Sequence, residues 1–239
     1  MRITRLDNLV QLTWMPGFFP VNSYLIEEED GLTLIDAALP SSVKGIIQAA
    51  AQLNKPLTRI LLTHAHSDHI GALDGLKRLL PEARVYISVR DAALLGGDRS
   101  LQPGEPQTKI RGGVPKRVTT RPDVLLSEGD RIGSLTAFST PGHTPGSMSF
   151  QDTRSGALIV GDAFQTFRGV AVSGTVVPWF PFPALATWSK EQALASAVRL
   201  LELQPALLGS GHGDLLPQPE SAMRRAIEIA QSKLHKELV

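Results

Sequence analysis

The stretch Arg59-Ile60-Leu61-Leu62-Thr63-His64-Ala65-His66-Ser67-Asp68-His69-Ile70 decides how this chain is read. Arg59 to Thr63 is a short apolar strand that ends where the histidines begin. His64 and His66 stand two apart as the chain leaves that strand, so both side chains point the same way. Asp68 and His69 sit where the chain turns into a helix at Ile70. The partial positive charge of a helix N-terminus favours the Asp68 carboxylate there.

Working outward, His143 lies inside Thr140-Pro141-Gly142-His143-Thr144 and His212 inside Gly211-His212-Gly213. Between them, Gly161-Asp162 ends another strand. Glycines beside these ligands (Gly142, Gly161, Gly211, Gly213) allow close backbone approach. Five of the six histidines therefore fall in three short clusters, each following an apolar strand. The sixth, His235, stands on the last helix among Lys233 and Lys236 and reads as a solvated face.

The chain has no cysteine, which excludes disulfides, thiolate sites and cysteine nucleophiles. Any metal must be held by imidazole and carboxylate. Zinc favours such donors at ~2.0–2.2 Å, and catalytic sites keep one position open for water. Two metals ~3.5–4 Å apart share a bridging water and need about seven protein ligands, one a bridging carboxylate. His64, His66, Asp68, His69, His143, Asp162 and His212 supply such a set. No Gly-x-Ser-x-Gly elbow and no Gly-Lys-Ser/Thr phosphate loop occurs.

The rest of the composition is ordinary. The 239 residues are 42% hydrophobic and 20% charged, enough for a sizeable core. A formal charge of +1 gives no reason to expect nucleic acid or an anionic membrane as partner. Residues 1–10 are too polar for a signal peptide and no apolar run is long enough to cross a bilayer, so the cytoplasm is the expected compartment.

Val21–Ile26 and Leu32–Ile35 read as strands flanking the turn Glu29-Asp30-Gly31. Val43, Ile46, Ile47, Ala50 and Leu53 recur at helical spacing. Ile70, Leu73, Leu76 and Leu80 mark a helix stopped by Pro81, and residues 85–87 a strand. Residues 96–122 are rich in Gly, Pro and charge, a loop excursion or lid. After it come strands at 135–139, 147–150 and 157–160. A capping box at Ser189 opens a helix through Leu194, Ala197, Val198 and Leu201. A strand at 206–208 and a final helix at 222–234 complete the order. Two similar halves without a linker predict one domain over residues 1–239, with two sheets face to face and helices outside.

His64-x-His66-x-Asp68-His69, followed in order by His143, Asp162 and His212, resembles the metallo-β-lactamase superfamily, from about Val21 to Gly213. The resemblance implies an α/β fold, a four-layer αββα sandwich of two mixed sheets with helices on the outer faces. It implies that His64, His66 and His143 hold one metal, that Asp68, His69 and His212 hold another, and that Asp162 bridges. Asp36, in Leu34-Ile35-Asp36, matches an acidic position that supports the site from beneath; its plain alternative is a strand-ending turn residue. Two divalent ions are implied, zinc first, with manganese or iron as the other choices.

Such a pair lowers the pKa of bound water to ~7. The expected reaction is attack by the bridging hydroxide on the carbonyl of a small ester, thioester or lactone, with Asp68 also carrying the proton. The short segments around His143 and Asp162 look most like glyoxalase II and its relatives. Glyoxalase II proper has a helical glutathione-binding segment after the last histidine, whereas only residues 213–239 follow here. Acyl-homoserine lactonases place a tyrosine after the bridging aspartate; Tyr24 and Tyr86 are not in that place. An iron-dependent oxidoreductase resembling the persulfide dioxygenases is the alternative. A binding protein with a vestigial site is the third reading.

Two aromatic clusters, Trp14, Phe18 and Phe19, and Trp179, Phe180 and Phe182 with Trp188, lie in irregular segments that carry specificity in many proteins. They are read either as an apolar wall for an acyl chain or as gap-filling or homodimer contacts. Arg99, Lys109, Arg111, Lys116, Arg117 and Arg121 of the long loop are read either as contacts to a substrate anion or as a solvated face. The expected partner is a small-molecule substrate, with no nucleic acid or membrane.

Overall fold

A computed structural model describes residues 1–238. Seven strands form the first sheet in sequential order: β1 (Arg2–Leu6), β2 (Leu9–Trp14), β3 (Val21–Glu28), β4 (Gly31–Ile35), β5 (Leu57–Leu61), β6 (Arg84–Ser88) and β7 (Val124–Leu126). β1 to β4 are antiparallel; β4 to β7 are parallel. Helices α1 (Val43–Gln52), α2 (Ser67–Ile70), α3 (Leu73–Leu79) and α4 (Val89–Leu95) are the crossovers.

The second sheet is built from β8 (Arg131–Ile132), β9 (Leu135–Ser139), β10 (Met148–Asp152), β11 (Ala157–Ile159), β14 (Leu207–Gly209) and β15 (Leu216–Pro217). Its order is β15-β14-β11-β10-β9-β8, with β11 and β14 parallel and the rest antiparallel. A small hairpin, β12 (Phe164–Gln165) with β13 (Ala171–Val172), and helices α5 (Phe182–Ala186), α6 (Lys190–Glu202) and α7 (Glu220–Leu238) complete the chain.

Strand alternation assigns each side chain to a layer. Tyr24 and Ile26 of β3 face the second sheet, while Leu25 between them faces the helices. On β6, Tyr86 points inward and Val85 and Ile87 outward. Three cores result. One lies beneath α1 and α3, around Leu34, Ile46, Ile60 and Leu76. One lies between the sheets, around Tyr24, Ile35, Leu61, Met148 and Phe150. The third lies under α6 and α7, around Leu158, Ala197, Leu200 and Met223. Three cores between four layers make the αββα sandwich.

The helix expected from Ile70 to Leu80 is two helices, because Gly71 packs against the backbone of Ala38 and Pro40 and turns the chain between them. α2 is a single turn, too short for a helix dipole to matter at Asp68. Residues 97–123 hold no helix or strand, as the Gly/Pro-rich composition implied, yet Ile110 and Val114 of this loop return to the first core.

Candidate metal centre

Five loops, each following a strand, meet at one end of the sandwich. Asp36 follows β4 and residues 64–69 follow β5, both at carboxyl ends of the parallel part of the first sheet. His143 lies between β9 and β10, Asp162 after β11 and His212 after β14. The structure brings all seven ligand candidates together across the two sheets. His64, His66 and His143 form one group of converging donors, and Asp68, His69 and His212 another; His64, His69 and Asp162 connect them. Asp162 lies in the middle, its Oδ2 3.3 Å from His143 Nε2 and 3.2 Å from His212 Nε2, its Oδ1 3.4 Å from His69 Nε2. Asp68 Oδ2 is 3.6 Å from His212 Nε2.

Each imidazole is anchored through one nitrogen and turns the other to the centre. His212 Nδ1 donates to the Pro20 carbonyl at 2.6 Å, and His66 Nε2 to the Arg111 carbonyl at 3.0 Å. A carbonyl only accepts, so each of these outer nitrogens carries a proton, while the inward ones face His143 Nε2 at 2.9 Å (His66 Nδ1) and Asp162 Oδ2 at 3.2 Å (His212 Nε2), contacts that a bound cation would replace. His69 Nδ1 lies 2.7 Å from Asp36 Oδ2, His64 Nδ1 3.0 Å from Thr63 Oγ1, and His143 Nδ1 3.0 Å from Ser173 Oγ. Asp36 itself accepts from Thr63 N and Thr63 Oγ1, each at 2.8 Å, and adopts a left-handed φ of 61° to do so. That backbone is strained for a residue with a Cβ, and it places Asp36 beneath His69.

His64 Nε2, His69 Nε2 and Asp162 Oδ1 are buried and have no hydrogen-bond partner. Burying such atoms unpaired is costly, and cations bound by this nitrogen and oxygen set would satisfy all three. The electrostatics agree. Burial pushes the His64 and His66 pKa values down and that of His143 to about 3, so these three rings are neutral, the form that ligates metal. Burial also opposes charge on His69 and His212, but Asp162 outweighs it on both, helped by Asp36 at His69 and by Asp68 at His212. Burial likewise works against ionised Asp162, yet His212, His69 and His143 hold its pKa well below the usual carboxylate range. The carboxylates thus demand positive charge at the centre, from protons or from metal.

A cavity of about 420 Å³ opens onto this centre. Asp68, Asp162, His66, His143 and His212 form its floor, and Phe19, Phe182, Pro183, Leu185 and Ala186 one wall. Of the aromatic residues expected at the pocket, only Phe19 and Phe182 reach it. Phe180 is fully buried behind them, its ring 5.2 Å from Phe19 and 5.3 Å from His212. Trp14 packs on the first core, and Trp188 is buried there with its Nε1 donating to Thr108 O. Phe18 and Trp179 are exposed, 81% and 87%; Trp179 has a left-handed φ of 70° in a turn that faces it outward. No basic side chain of the long loop lines the cavity. That loop contributes backbone instead: Gly112 and Gly113 form the opposite wall, and a Cβ at Gly112 would fall on the His66 ring.

Several residues that hold the ligands carry no signature in the sequence. Asp91, fully buried at the start of α4, accepts from Ala65 N at 2.9 Å, Gly146 N at 2.8 Å and Thr144 Oγ1 at 2.8 Å. It clips the His64/His66 loop to the His143 loop. Burial raises its pKa to about 6, while those three donors pull it back. Asn22 Nδ2 donates to Ser210 O and Gly213 O, and Tyr24 Oη to Ser210 O, fixing the His212 loop from β3.

The family model of the metallo-β-lactamase superfamily matches residues 16–212. An uncharacterized protein of Bacillus subtilis, YobT, is 58% identical over 231 residues, 97% of this chain and 99% of its own. The hydroxyacylglutathione hydrolase GloC of Haemophilus influenzae is 29% identical over 157 residues, 63% of this chain and 69% of its own. The crystal structure of TTHA1623 in a di-iron-bound form superposes with a TM-score of 0.65 at 29% identity, covering 89% of this chain and 96% of its own. The matched span contains every one of the seven converging side chains. The chain belongs to the metallo-β-lactamase superfamily, whose members are mostly metal-dependent hydrolases.

Proposed function

We propose that this protein is a dinuclear metal-dependent hydrolase of a small ester, thioester or lactone. The observation that carries the reading is the set of five anchored imidazoles that converge with Asp68 and Asp162 in overlapping groups, with His66, His143, His212 and both carboxylates on the floor of an open cavity. His64, His66 and His143 would hold one divalent ion, Asp68, His69 and His212 the other, and Asp162 would lie between them. Ions so held supply Lewis acidity and bring the pKa of water to ~7.

The chain's own groups do the rest. Asp36 and the Pro20 and Arg111 carbonyls hold the rings in place, which keeps the donor set preorganised. Asp68 is half-buried at the cavity edge, and His69 and His212 keep its carboxylate ionised against the cost of burial. It is thereby placed to take a proton and pass it to the leaving group. Phe19 and Phe182 limit water on one side of the reacting carbonyl. GloC, by its name, hydrolyses a hydroxyacylglutathione, which supports the acyl class. TTHA1623 holds two irons, which supports two ions and admits iron as well as zinc.

The test is proton release by zinc- and iron-loaded protein on a panel of lactones, thioesters, β-lactams and phosphodiesters, with His66→Ala as blank. Turnover of the acyl substrates, lost in His66→Ala, is the expected result. Turnover confined to phosphodiesters, or equal rates in the blank, would reject the reading.

A further inference from the structure

The cavity is lopsided in a way that bears on what enters it. Its floor carries Asp68 and Asp162, and its side wall is Phe19 with Phe182, Pro183, Leu185 and Ala186 of α5. Phe182 and Leu185 stand three apart on α5 and so share a face. They remain 49% and 60% exposed in the free chain. Phe182 also packs on Phe19, with ring centroids 5.1 Å apart, over the buried Phe180. The wall is therefore backed by a packed aromatic layer and not by a loose loop. Among the described residues, the lining includes no lysine and no arginine.

An acyl group whose far end carries a carboxylate would lay that charge along the wall, where it meets no cationic partner. Burying it there would leave a charge unpaired. An alkyl chain would instead cover apolar surface that the protein leaves in water. Resting on the hydrolase reading above, we infer that the substrate carries an uncharged, apolar acyl chain. The carbonyl sits over the metal centre and the chain lies along Phe19, Phe182 and Leu185. Phe182 and Leu185 are then specificity-determining residues, and thioesters or esters with an anionic acyl part are poor substrates.

Straight-chain hydroxamates of two to eight carbons probe the wall without turnover, because their head group anchors on metal. Binding to zinc-loaded protein is measured by calorimetry, with succinic monohydroxamate as the carboxylate-ended counterpart of the four-carbon chain. Affinity is expected to rise with each methylene, by up to about fourfold, equivalent to ~0.8 kcal/mol of burial, until the chain outgrows the wall. The carboxylate-ended compound should bind roughly tenfold or more weaker than its neutral counterpart. Leu185→Lys, at an exposed position that tolerates the change, should flatten the series and reverse the preference. A flat series in the unaltered protein, tighter binding of the carboxylate-ended compound, or no binding by any member would overturn the inference. Turnover of acyl esters, thioesters and lactones on the same preparation separates the two claims. A rising series without turnover rejects the hydrolase reading alone, and turnover with a flat series rejects the apolar wall alone.

Discussion

At the scale of single residues, the ligands matter less by type than by how each is held. Every ring has one nitrogen committed to a neighbour, so rotation away from the centre breaks a buried hydrogen bond. Asp91 does the same for two whole loops. In Asp91→Asn, either amide orientation points an NH2 at a backbone N–H or at the Thr144 hydroxyl. The expected cost is about 1–3 kcal/mol of stability, with metal affinity of the His64/His66/His143 group lowered about 10–100-fold. Urea denaturation and chelator competition measure the two effects; an unchanged affinity would show that Asp91 does not position the loops. The seven ligand candidates were legible in the sequence because their types are rare and their order is fixed. Asp91 was not, since nothing in Ser88-Val89-Arg90-Asp91 tells that it will face loops 26 and 53 residues further along or back. The Pro20 and Arg111 carbonyls were equally hidden, because every residue has a carbonyl and only the fold decides which one meets a ring.

At the scale of elements, strand ends set the site and short helices shape its mouth. The strands that carry ligands were readable as short apolar runs; β1, β7, β8, β12, β13, β15, α4 and α5 were missed, being short or half-exposed, and β2 was missed although it is buried, because Gln11 and Thr13 interrupt its apolar residues. The aromatic segments show the same limit. Composition placed Trp179 and Phe180 side by side as equals, whereas the structure sends one outward and one under His212. Phe180→Ala should therefore cost about 3–5 kcal/mol, and Trp179→Ala should change stability by no more than about 0.5 kcal/mol. Thermal unfolding of both variants checks this. Equal losses would mean that Trp179 packs against something in solution, such as a second copy of the chain. The basic residues of the long loop, read as a candidate anion contact, are set aside from the cavity, and the loop acts through Gly112 and the Arg111 carbonyl.

At the scale of the whole molecule, the two sheets contribute unequal parts of one site, so the site forms only when the sandwich closes. Asp36, the 64–69 ligands and the Pro20 carbonyl come from the first half, and His143, Asp162 and His212 from the second. This has a signature in pH. The neutral rings of His64, His66 and His143 contribute stability that is full above their ordinary value of 6.5 and lost as pH falls, for His143 toward about 3. His69 and His212, held protonated by carboxylates, contribute stability that is full below 6.5 and lost as pH rises through their raised values. Metal-free protein should thus be most stable near pH 6.5 and lose melting temperature on both sides. Metal displaces the protons, so loaded protein should gain stability above that pH. A metal-free melting temperature that climbs steadily to pH 8.5 would contradict the assignment of His69 and His212.

Two ions held by these seven side chains, with Asp162 between them, imply a defined metal stoichiometry. Elemental analysis after dialysis against a buffered trace of zinc counts the zinc ions bound per chain. Two ions are expected for the unaltered protein, one for His66→Ala, and none for Asp162→Ala, with all three proteins folded by circular dichroism. One ion in the unaltered protein, or two retained in Asp162→Ala, would contradict this arrangement.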